Sequence, residues 1–297
     1  MRIKDRMSPG DFADLVLNFL FAKRDHLIIR DGISALSMAM CKNRVSAIKS
    51  YAVLLDKVLS MLEGTISNYE LAELIYKLIS YYSPYYKESP LFTALSNGYS
   101  DCVVAFGLFV DKLLSMRNCV EDVPLMDMIF NLLMCKSDDI RNDPGLFTAM
   151  RGGHCVAIDS FRKLIEKVMV FESNIFSEYF NSMLLDTVIS RGSGGVSGLY
   201  VALANNFPEV VLSYGSLLSL IPEDELVDVL VDSGSCSSVP AALFAGGEAL
   251  DSYLKIISDL PARVVHNLYS RLNCIKNSVG YTSLSNADLD GRYEFLL

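Results

Sequence analysis

The sequence predicts an all-α fold, a solenoid of three-helix repeats with a period of ~55 residues. Three observations predict it. One phrase recurs along the chain: Ile33-Ser-Ala-Leu-Ser-Met-Ala-Met, Ser89-Pro-Leu-Phe-Thr-Ala-Leu-Ser-Asn-Gly-Tyr, Asp143-Pro-Gly-Leu-Phe-Thr-Ala-Met-Arg-Gly-Gly-His and Ser197-Gly-Leu-Tyr-Val-Ala-Leu-Ala-Asn-Asn-Phe. Its anchoring alanines are Ala39, Ala94, Ala149 and Ala202, spaced by 55, 55 and 53 residues. A fixed period of this kind marks stacked supersecondary units. Between the copies, apolar residues recur at helical spacing. No alternating apolar and polar run of useful length occurs, so no strand is expected.

Each element has a local reason. Ser8-Pro-Gly-Asp opens a first helix by cap and first-turn chemistry, and Phe12, Leu15, Val16, Phe19 and Leu20 share one face. This helix precedes the first copy of the phrase. Residues 1–30 are therefore expected to be the last helix of a preceding, truncated repeat, and the chain to begin in mid-repeat. The solenoid proper is expected over 31–272, in about five units. The first unit has a short helix at Ala35–Cys41 and a second helix over about 44–62. The stripe of that second helix is Ala47, Ile48, Tyr51, Leu54, Leu55, Val58 and Leu59, and Gly64 ends it. Ser67 opens a third helix with apolar residues at 71, 74, 75, 78 and 79. The second unit repeats this at Leu91–Ser96, Ser100–Arg117 and Leu125–Cys135. The third unit, over about 142–194, has its last helix near Phe176–Ser190. Arg191-Gly-Ser-Gly-Gly-Val-Ser-Gly reads as the most flexible loop of the chain. The fourth unit opens its third helix with Pro222-Glu-Asp-Glu. The fifth, from Val239-Pro-Ala-Ala-Leu-Phe-Ala-Gly-Gly, needs a one-residue gap to align, as a degenerate terminal unit does. Residues 273–297 have no clear period and are expected to be an irregular tail.

Composition narrows the function classes. The chain of 297 residues is 51% hydrophobic and 21% charged, which excludes a disordered chain. No run reaches the ~18 apolar residues of a membrane span, and the charged start Met1-Arg-Ile-Lys-Asp-Arg-Met-Ser has no apolar core behind it, unlike a secretory signal peptide. Lys plus Arg is 26 against 35 for Asp plus Glu, a net charge of −9. An acidic surface without a basic cluster repels phosphate backbones, so no nucleic-acid partner is expected. A basic protein patch could still be attracted. Seven cysteines without a Cys-x-x-Cys pair fit a reducing compartment and small core side chains.

Gly145-Leu-Phe-Thr-Ala-Met-Arg-Gly-Gly-His-Cys-Val-Ala-Ile resembles the helix-turn-helix of an ankyrin repeat, which writes Thr-Pro-Leu-His, an alanine on the first helix, then Gly-His and a leucine-rich second helix. Ser89, Pro90, Leu91 and Phe92 with Ala94 and Gly98 repeat the match. The period departs from the usual ~33 residues. The Gly-Ala-Asp-Val-Asn hairpin is missing, and a third helix is expected in its space. With Gly198-Leu-Tyr-Val-Ala-Leu and Pro222-Glu-Asp-Glu-Leu-Val-Asp-Val-Leu, the chain over about 31–260 resembles the C-terminal repeat region of bacterial type III secreted effectors of the OspC and EspL families. The resemblance implies an ankyrin-like module of a virulence effector, secreted into the host cell, acting in the host cytoplasm and recognising a host protein such as a caspase. It further implies that catalysis, if the whole protein has any, lies upstream. In the OspC-type families that is NAD-dependent arginine ADP-riboxanation of caspases, and in the EspL-type families cysteine proteolysis. This chain by itself is expected to be a monomer and not an enzyme.

Candidate chemistry weighs against a catalytic reading. His154 and Cys155 are neighbours on one helix, about 100° apart, and so are poorly placed as a base–nucleophile pair. Tyr99 and Phe207 stand where His154 stands, which makes it a packing position. No clustered ligands suggest a metal, and Gly192-Ser-Gly-Gly-Val-Ser-Gly lacks the Lys-Ser/Thr of a phosphate loop. Glu223, Asp224 and Glu225 complement a helix dipole. No catalytic, cofactor-binding or metal-binding residue is therefore expected. Tyr81, Tyr82, Tyr85 and Tyr86 could anchor an interface or pack under their loop. Partner binding is expected in the loops ahead of each short helix, at Arg30, Asp31, Tyr85, Tyr86, Lys87, Glu88, Asp139, Arg141, Asn142 and Arg191. These positions vary between units while the packing positions stay alike.

Overall fold

A computed structural model describes residues 34–81, 88–137, 142–171, 177–231 and 247–279. The described chain is all-helical. The first unit holds α1 (Ala35–Cys41), α2 (Val45–Leu62) and α3 (Asn68–Ile79), and the second α4 (Pro90–Ser96), α5 (Ser100–Leu114) and α6 (Asp122–Leu133). The third holds α7 (Gly145–Arg151), α8 (Cys155–Val168), a 3₁₀ turn at Met169–Phe171 and α9 (Ser177–Ile189). The fourth holds α10 (Gly198–Ala204), α11 (Pro208–Leu218) and α12 (Glu223–Val231). The last described helices are α13 (Gly247–Ser258) and α14 (Ala262–Val279).

Equivalent helices stack on one another. The short helices pack α1 on α4, α4 on α7 and α7 on α10. The second helices run α2, α5, α8, α11 and α13 in the same way. In the third row α3 packs on α6, α6 on α9 and α12 on α14. A single apolar core therefore runs the length of the described chain, from Leu36 to Leu268.

The recurring alanine has a backbone role. In each of the first four units the short helix ends in a Schellman motif, in which backbone N–H groups beyond the end satisfy the last carbonyls. The N–H groups of Arg44, Tyr99, His154 and Phe207 donate to the carbonyls of Ala39, Ala94, Ala149 and Ala202 at 2.8, 2.9, 3.0 and 3.0 Å. The residue before each donor is left-handed: Asn43, Gly98, Gly153 and Asn206, with φ of 51°, 70°, 79° and 55°. Only glycine and asparagine adopt that region at little cost, which is why the joint reads Asn, Gly, Gly, Asn. Ser34, Ser67, Ser89 and Ser197 cap the helices they precede through their side chains. Ser67 forms a full capping box with Glu70.

A second recurring position fills the core. Tyr51, Phe106, Phe161, Tyr214 and Tyr253 are all buried on successive second helices. The Tyr214 hydroxyl donates to the Val188 carbonyl at 3.2 Å, and the Tyr253 hydroxyl to the Leu230 carbonyl at 3.1 Å. Each bond ties a second helix to the third helix of the preceding unit. The buried Tyr51 hydroxyl has no such partner among the described residues.

The structure departs from expectation in several places. Ala47 and Leu54, expected on the buried stripe of α2, are exposed, and Leu62 joins the core instead. Helix α5 stops at Leu114, before the turns at 115–119. Helix α6 starts at Asp122 because Pro124 falls in its first turn, where a missing N–H costs nothing. Helix α14 continues to Val279, into the stretch expected to be irregular. Residues 1–30, the short helix of the fifth unit and residues 280–297 lie outside the described residues. No helix among the described residues is long and apolar enough to cross a membrane.

Candidate partner-binding surface

The described ends of the loop ahead of α7 pair as the base of a hairpin, and the loop ahead of α10 is a short hairpin. Lys136 pairs with Pro144, and Arg191 with Ser197, in single antiparallel bridges. Ser137 N donates to Asp143 O at 3.1 Å and Gly145 N to Cys135 O at 2.8 Å. In the second hairpin Gly192 N donates to Val196 O at 2.9 Å and Gly195 N to Gly192 O at 3.0 Å. The glycine-rich run read as the most flexible loop is thus a tight turn, and hairpins coexist with the third helices that were expected to replace them.

Asp143 joins the two hairpins. Its side chain is only 5% exposed and pairs with Arg151 Nη1 at 2.9 Å. Its other oxygen accepts from Ser193 N, in the next hairpin, at 2.8 Å. Arg151 in turn lies over the Phe147 ring, 5.4 Å from its centroid. Sequence reasoning missed Asp143 and Arg151. One signal could have found the first: Glu88 occupies the same place one period earlier, directly ahead of a short helix.

Three of the expected partner-binding residues are described. Glu88 is half-buried, and its carboxylate accepts from Thr93 Oγ1 at 3.0 Å, so it is tied to the first turn of α4. Asn142 is exposed at φ 50°. Arg191 is exposed and donates to Gly195 O at 3.2 Å within its own hairpin. Arg30, Asp31, Tyr85, Tyr86, Lys87, Asp139 and Arg141 lie outside the described residues, as does Tyr82. Asn142 and Lys136 border a cleft of about 310 Å³ between α3, α4 and α6. Leu91 and Phe106 give it an apolar lining, and Ser80 and Asn131 add polar groups. The hairpins and this cleft offer charged, amide and apolar groups for non-covalent recognition.

His154 has a packing role. A Cβ added to Gly98 would fall 2.6 Å from its Nδ1, and one added to Gly152 would fall 2.6 Å from its Nε2. The imidazole therefore fills the space between two glycines, one in its own unit and one in the preceding unit. Phe207 takes the same place against Gly153. The thiols of Cys135 and Cys102 are driven away from the reactive thiolate. Burial pushes Cys135 up to about 12. Burial, then the nearby Asp101 charge, pushes Cys102 up to about 11. No group of three metal-ligating side chains occurs among the described residues.

No protein-family model matches the chain, and comparisons with curated proteins and with solved structures find no significant match.

Proposed function

We propose that this chain is a protein–protein interaction module: an ankyrin-like α-solenoid of ~55-residue repeats that serves a bacterial secreted virulence effector. It recognises a host protein in the host cytoplasm, with a caspase as the first candidate. The observation that carries the reading is the stacking of like helices with unlike hairpins in front of them. The positions that repeat pack, whereas Asn142 and Arg191 differ between units and are exposed, as contacts to a partner must be. The effector origin and the caspase rest on the resemblance of the repeated phrase alone.

The test is direct binding. Purified host caspases are passed over the immobilised chain, and cross-linking in host lysate serves as a wider screen. Asn142→Arg and Arg191→Glu should each weaken capture of the partner at least severalfold while leaving the circular dichroism unchanged. Retention of no host protein, or capture indifferent to both variants, would refute the proposal.

A further inference from the structure

The outer face of the second-helix row carries a groove that the hairpins do not use. It lies between α2 and α5 and encloses about 450 Å³. From α2 come Lys49, Ala52, Val53 and Asp56, which is helical spacing over two turns. From α5 come Leu108, Asp111 and Lys112, and its C-cap Ser115 continues the same spacing. Seven residues of helical rise make the groove about 10 Å long. Buried Leu55 and Phe109 form its floor.

Stacking does not require its walls to be apolar. Val53 is 56% exposed and Leu108 42%, so water reaches both. They stand one period apart, and the next two units place Lys163 and Ser216 at that position. Among the described residues the same row is therefore polar where α8 and α11 continue it, and apolar at α2 and α5. Val53 and Leu108 together give the groove an exposed apolar rim.

The charges along the groove are uneven. Asp56 is paired with Lys112 at 2.6 Å, across the groove, and Asp111 with Lys167 of the next unit at 2.5 Å. Both acids are neutralised. Lys49, exposed at the other end, has no ion pair among the described residues. On a chain of net charge −9 this end of the groove thus presents a positive charge with no ion-pair partner among the described residues.

We infer that the groove between α2 and α5 docks an amphipathic helix of a partner protein. The helix sets apolar side chains between Val53 and Leu108 and a carboxylate against Lys49. A helix laid in a groove between two parallel helices is a recurring recognition mode, read as apolar anchors at helical spacing. The surface is separate from the hairpins, so it stands or falls independently of the function proposed above.

The probe is a stapled helical peptide of about 15 residues with leucines on one face and glutamates at one end. A second peptide carries lysines in place of the glutamates. Binding is followed through the methyl resonances of the full chain. The acidic peptide should give saturable shifts at Val53 and Leu108 and bind about fivefold more tightly than the basic one. Leu108→Lys, which imposes the residue found at this position in α8, should abolish the shifts. Lys49→Glu should reverse the charge preference. Circular dichroism of both variants verifies the fold, and Val53→Ser provides a milder change if Leu108→Lys fails to fold. Equal binding of both peptides, shifts that survive Leu108→Lys, or no saturable shift would each overturn the inference. So would sedimentation showing that the groove is closed by a second copy of this chain.

Discussion

The recurring aromatic position makes a prediction with opposite signs at two equivalent sites. Tyr51 and Tyr214 sit at the same place on α2 and α11, and both are buried, at 7% and 1% exposure. The Tyr214 hydroxyl is bonded to Val188 O, whereas the Tyr51 hydroxyl has no partner among the described residues. An unsatisfied buried polar group costs about 1–3 kcal/mol, and a satisfied hydrogen bond contributes about 0.5–1.5 kcal/mol. Tyr51→Phe should therefore stabilise the chain by about 1 kcal/mol or more, and Tyr214→Phe should destabilise it by about 1 kcal/mol. Phe106 and Phe161 already occupy the position in the two units between, so the ring itself fits. The assay is urea unfolding of both variants, reading the midpoint at constant slope. The pH dependence provides a second readout. Burial raises the Tyr51 phenol from 10.0 to about 12. The unfolded chain gives up that proton first, so the stability is full below pH ~10 and is lost as pH rises through about 12. Tyr51→Phe should remove that part of the alkaline loss. Equal destabilisation by the two substitutions, or an unchanged alkaline limb, would refute the reasoning.

Other predictions concern the joints and hairpins. Gly98→Ala should cost more than Gly64→Ala. Both sites are left-handed, at φ 70° and 72°, but only Gly98 has His154 within 2.6 Å of the new Cβ. The strain common to both is about 1–2 kcal/mol, and His154→Ala in the Gly98→Ala background should recover the excess in the same unfolding assay. Asp143→Ala should destabilise by about 2 kcal/mol through loss of charge-assisted bonds to Arg151 and Ser193, with raised amide exchange in both hairpins. Backbone and side-chain bonds from Ser67 hold the Glu70 carboxyl below its ordinary 4.5. Its contribution is present above the unfolded value and lost as pH falls through the lower folded one, and an NMR titration of Glu70 should show its inflection below that of an unfolded peptide. Lys167→Ala removes an exposed pair with Asp111 and should cost no more than about 1 kcal/mol, less at high salt.

Local chemistry made much of the fold legible. Ala35–Cys41 and the cap at Ser67 follow from residues within a few positions of one another. The Asn and Gly joints are similar. Only a few residue types accept a left-handed backbone, so the requirement is visible in the sequence itself. The alanine positions were legible because they recur with the period. The exposure of Ala47 and Leu54 was not, since periodicity gives a stripe but not its width, and the neighbour α5 covers only part of it.

The candidate surface was legible only as a place. The sequence by itself determined an all-α chain of like units, helix ends set by caps and left-handed joints, and loops that differ from unit to unit. Tertiary structure decided that equivalent helices stack in rows, that Asp143 bridges two hairpins 50 residues apart at Ser193, and that His154 fills a gap between glycines of two units. It also decided which apolar residues of α2 and α5 remain exposed. The physical reason is range: caps and joints are satisfied within a single helix end, whereas bridges, stacking and exposure depend on which residues the next unit brings alongside.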